Sequence, residues 1–85
     1  MPVIATIEGV KILIYAIDHP PPHIHAIYSG DEAQISIETG ELLKGNLPLP
    51  KLRLVRYWLD ANRDWVSYMW DEIDHKRNPA GRTDK

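Results

Sequence analysis

The residues best suited to chemistry lie together in Asp18-His19-Pro20-Pro21-Pro22-His23-Ile24-His25, which holds three of the four histidines and three of the seven prolines. Imidazole changes charge near neutral pH and also ligates metals, so clustered histidines suit proton transfer or cation binding. Proline holds φ near about −65° and pushes the residue before it towards extended backbone, so His19 to Pro22 is expected to form a stiff polyproline-like rod. Such a rod sets the direction of the next strand. With that strand starting at His23, His23 and His25 project from one face and Ile24 from the other.

Three readings fit that pattern. His23 and His25 could ligate a divalent metal such as zinc, with Glu38 or His19 as third ligand and water completing the shell. Alternatively, His23, His25 and Glu38 could act as a metal-free acid and base pair, for instance in RNA cleavage, with a helix cation stabilising charge. The third class has no chemistry: the sheet face or an edge strand docks a protein partner, or a second copy of the chain. Asp18, His19, Ser36, Arg53 and Arg56 are the candidate binding residues beside the histidines. The structural alternative is that both imidazoles simply donate to carbonyls or to Glu38 and Ser36.

The elements that must position these residues read as a sheet followed by a helix. Val3 to Ile7 and Val10 to Ala16 are β-prone runs around Glu8-Gly9, which predicts a hairpin. His23 to Tyr28 and Ala33 to Glu38 predict a second hairpin across Ser29-Gly30-Asp31-Glu32. A four-residue loop there pairs Tyr28 with Ala33, Ala26 with Ile35 and Ile24 with Ile37, and on the other face His25 with Ser36 and His23 with Glu38. Opposed Cβ atoms lie about 4.5–5.5 Å apart, so His23 and Glu38 would hydrogen-bond.

Thr39-Gly40-Glu41 turns the chain, Leu42-Leu43 is a short apolar patch, and Pro50 suits a first helical position. From Lys51 to about Asp74, Leu52, Val55, Trp58, Leu59, Trp65, Val66, Met69, Trp70 and Ile73 repeat at helical spacing. Asn62 falls inside that apolar stripe, as a partnered amide or a kink. Arg53, Arg56 and Arg63 lie opposite, near Asp60 and Asp64, as an ion-paired solvated face. A single domain over residues 1–78 with a mobile tail over 79–85 is expected.

Composition narrows the class. At 85 residues and 44% hydrophobic, with three Trp, four Tyr and no Phe, the chain can build one core with Trp and Tyr as its aromatics. Without Cys there is no disulfide and no thiolate ligand, so any metal must be held by His, Asp or Glu. No apolar run approaches the roughly 18 residues of a membrane span, and the chain is expected to be cytoplasmic, with no membrane partner. The net charge of −2 makes no general case for nucleic acid, and DNA binding is not expected. Residues 1–49 carry two Lys and Arg against six Asp and Glu, and residues 50–85 eight against six, so RNA would favour the second half.

The N-terminal Met1-Pro2-Val3-Ile4, the segment Asp18 to His25, the segment Thr39-Gly40-Glu41-Leu42-Leu43-Lys44-Gly45, and Trp58 with Trp70 together resemble the small bacterial family known as domain of unknown function 4160. The resemblance implies no established biochemical role and no catalytic residue. It does imply a setting, since such proteins are often encoded beside a second small protein in toxin and antitoxin-like pairs. The expected architecture is α+β: a small, mainly antiparallel sheet of about four strands packed against one long C-terminal helix, with His23, His25, Ser36 and Glu38 on the uncovered face.

Overall fold

Two tight turns set the register of the sheet. Glu8-Gly9 and Ser29-Gly30 both have positive φ at each central residue, at 47° and 84° and at 49° and 89°. That is the pattern of two-residue hairpin turns whose twist matches their strands, and glycine at the second position adopts it without steric cost. The computed structural model describes residues 3–15 and 20–77, with side chains placed as far as Ile73. The elements are β1 (Val3–Ile7), β2 (Val10–Leu13), β3 (His23–Tyr28), β4 (Asp31–Ser36), β5 (Leu42–Gly45) and α1 (Leu49–Arg77).

The strands form one antiparallel sheet in the order β1-β2-β3-β4-β5. The expected α+β class therefore holds, with five strands instead of about four. The additional strand is the patch begun by Leu42-Leu43. Ser36 N donates to Glu41 O and Gly40 N to Ser36 O at 2.9 and 2.8 Å, a tight reversal that delivers Leu42 opposite Ile35. Gly45 closes β5 with φ +73°, and a Cβ there would overlap the Glu32 carbonyl oxygen, so this position demands glycine.

On the inner face of the sheet, Val10, Ile12, Ile24, Ala26, Ala33 and Ile35 pack against Leu52, Val55, Leu59 and Val66 of α1. Burial of this apolar area, at about 25 cal/mol per Å², is the main favourable term holding helix to sheet. Asn62 interrupts the helix with φ −126° and ψ 18°, while its Nδ2 donates to Trp58 O at 2.9 Å. Both expected alternatives are thus realised at one residue: the amide has a partner and the helix bends. Trp65, expected on the apolar stripe, is 44% exposed.

The hairpin of β3 and β4 corrects the expected pairing. The loop has two residues, so Tyr28 pairs with Asp31, Ala26 with Ala33, Ile24 with Ile35, His25 with Gln34 and His23 with Ser36. The slip from the expected register is two residues, which preserves the face of every side chain but changes every partner. Glu38 is therefore not opposite His23; it lies in the exposed turn after β4. The Pro20–Pro21 peptide is cis, whereas a polyproline rod has trans bonds throughout. His19 lies outside the described residues.

Candidate functional site

The histidines occupy a closed corner of the fold. Expected on an uncovered face, His23 and His25 are only 4% and 3% exposed, and Ser36 is buried beside them. What closes over them is aromatic. The Tyr15 ring centroid lies 4.2 Å from His25, the two imidazoles are 4.9 Å apart, and Trp70 of α1 comes within 5.5 Å of His23. All three ring pairs are tilted, with interplanar angles of 59°, 57° and 49°.

Each imidazole has a defined orientation. His23 Nδ1 donates to the Pro21 carbonyl at 2.8 Å. His25 Nδ1 donates to Glu32 Oε2 at 2.7 Å, and that carboxylate is itself 44% exposed. Since a carbonyl and a carboxylate only accept, Nδ1 carries the proton in both rings, and Nε2 is the nitrogen at which a neutral ring would take a proton or a metal. Glu32 stands diagonally from His25 across the hairpin, within reach of a long side chain. The proline segment is tied to the same corner, because Ile37 N donates to Pro22 O at 3.0 Å.

Among the other candidates, Ser36 Oγ accepts from Thr39 N at 3.2 Å, and Thr39 Oγ1 accepts from Glu41 N at 3.1 Å. These bonds shape the 37–41 turn. Arg56 Nε donates to Gly40 O and Arg63 Nε to Ile37 O, at 2.9 and 2.7 Å, so two helix guanidiniums satisfy carbonyls that the turn leaves without strand partners. Arg53 is exposed on α1. Asp18 and His19 lie outside the described residues, and among the described residues no group of three or more His, Cys, Asp or Glu could hold a metal ion.

The structure thus brings His23, His25 and Ser36 together, and puts Glu38 and the arginines elsewhere. It adds Glu32, Tyr15 and Trp70, which sequence reasoning missed. Glu32 was recoverable from a correct loop length; Tyr15 and Trp70 had no local signal, because their contacts cross elements.

A family model described as domain of unknown function (DUF4160) matches residues 9–71. The chain belongs to this family. Neither the curated proteins nor the solved structures contain a significant match. The DUF4160 match spans the sheet from the first hairpin turn onward and most of α1, so it covers the histidine corner and the turn pinned by the arginines. Among the described residues, no helix is long and apolar enough to cross a membrane.

Proposed function

We propose that this chain is a protein-interaction module that docks a partner on the outer face of α1. One observation carries the reading: Tyr57, Tyr68 and Trp65 are 77%, 57% and 44% exposed on a single helix. Large aromatic rings left in water along one helix are the usual content of binding hot spots, since they supply contact area at little entropic cost. The sheet edges compete poorly. The β1 ladder is irregular between Val3 and Ala5 and the β4–β5 ladder between Gln34 and Ile35, and such bulges discourage strand addition. A toxin and antitoxin-like pairing is one setting in which such a module would work.

The test is site-specific photo-crosslinking in the native host. Probes at positions 57 and 68 should capture one defined protein, a probe at position 38 in the exposed turn should not, and Tyr57→Ala with Tyr68→Ala should abolish binding of that protein once purified. Equal capture from all three positions, or none from the helix, refutes the docking face.

A second reading is favoured by the bond from His25 to Glu32, the geometry in which a carboxylate orients an imidazole base. On this reading the chain cleaves RNA with His25 as base. Glu32→Gln should then lower cleavage by purified protein at least about tenfold, and activity unaffected by the substitution removes this reading.

A further inference from the structure

Resting on the docking face proposed above, we infer that its occupant is a second copy of this chain, turned end for end, with Tyr57 at the two-fold axis and Arg53 of each copy beside Asp60 of the other. The three residues lie between Leu49 and Ala61, before the bend at Asn62, so regular helical spacing holds among them. Arg53 and Tyr57 are four residues apart and Tyr57 and Asp60 three, which sets all of them on one face. All three are exposed, Tyr57 at 77%. The face therefore carries a cation, a ring and an anion in that order, and Leu49, 55% exposed, adds apolar area one turn before Arg53.

The neighbouring cations are turned to the fold: Lys51 Nζ donates to Glu8 O at 3.1 Å and Arg56 Nε to Gly40 O at 2.9 Å. Arg53, in contrast, has no hydrogen-bond or ion-pair partner among the described residues. Asp60 Oδ1 accepts from Arg63 Nη2 at 2.8 Å, which leaves the carboxylate's second oxygen able to accept a further donor. The order of these charges selects the occupant. A uniformly cationic segment would meet Arg53, a uniformly acidic one Asp60, and a neutral apolar one would strip water from both without replacement. The face asks for an anion, a ring and a cation in the reverse order at helical spacing, and a second α1 run antiparallel supplies it. Two-fold symmetry forms each contact twice, so both ends are satisfied together. The ridge of Leu49, Arg53, Tyr57 and Ala61, each four residues from the next, is also the kind that seats in the matching groove of another helix, with the two Tyr57 rings stacked offset at the crossing.

Sedimentation of the full chain from micromolar to millimolar concentration provides the test. The chain should self-associate reversibly, and less strongly at high salt because the end contacts are ionic. Arg53→Glu and Asp60→Arg should each weaken self-association at least about tenfold, because each sets like charges opposite one another. An equimolar mixture of the two variants should associate as the parent does, since the mixed pair has opposite charges at both ends. Tyr57→Ala should weaken the parent pair by a similar factor with the melting midpoint of the dilute chain unchanged. A chain that stays monomeric throughout the range overturns the second copy. So does self-association indifferent to Arg53→Glu, or a mixture that stays monomeric although both variants melt as the parent does. A monomeric chain that still yields the position-57 crosslink to a different protein leaves the docking face intact, whereas one without that crosslink ends both.

Discussion

The histidine corner and the outer face of α1 invert the usual partition between core and surface. In the corner, polar imidazoles are buried, whereas on the helix Tyr57, Tyr68 and Trp65 stand in water. The difference lies in how each group's requirements are met. Each imidazole has a short hydrogen bond at Nδ1, to Pro21 O or to Glu32, and packs against aromatic neighbours. The helix rings have no such covering. Buried rings already held by Nδ1 hydrogen bonds and packing within the chain ask less of a partner than exposed aromatic rings do, so function is sought on the helix first.

The largest expected effect tests whether the corner is architecture. Trp70→Ala removes the ring that packs on His23 and on the core, and should destabilise by about 3 kcal/mol, the low end for a core aromatic because the ring is only partly buried. Chemical denaturation measures it. A change near zero would mean that the strands alone hold the histidines, and the contrast between the regions would weaken.

A smaller effect sharpens the same side. Glu32→Gln keeps the shape but exchanges a charge-assisted bond for a neutral one at a carboxylate open to water, so the loss should be below about 1 kcal/mol. The His25 ring should keep its place against Tyr15, visible as unchanged aromatic NMR shifts. Large shift changes would show that Glu32 and not ring packing orients His25.

The smallest effect belongs to the helix face. Tyr57→Ser with Tyr68→Ser should leave stability within about 0.5 kcal/mol of the parent, because exposed side chains away from caps and pairs contribute little. A loss of several kcal/mol would show that these rings serve the fold and would end the contrast with the corner.

Much of this architecture was legible in the order of residues. Alternation along β3 and β4 separates His23 and His25 from Ile24 and Ala26, and the helical period of Leu52, Val55, Leu59 and Val66 marks the buried stripe. Both patterns are local consequences of backbone geometry, with periods of 2 and about 3.6. Asn62 left a partnered amide and a kink open as alternatives, and the structure shows both at that residue. The pairing of His23 with Glu38 failed for a reason that lies in one turn. Ser29 adopts positive φ, which shortens the loop by two residues, and parity hides such a slip because the faces stay correct.

What the sequence determined by itself was therefore the class, the helix stripe, the faces of the strands and the residues from which a site could be made. Tertiary structure alone decided that the histidines are enclosed, that Glu32 is the carboxylate of His25, that Arg56 and Arg63 serve backbone carbonyls, and that Trp65 faces water. Those outcomes depend on where elements distant in the chain come to rest. Tyr15 and Trp70 reach the histidines from β2's end and from the far half of a bent helix, and no spacing along the chain encodes a meeting across elements.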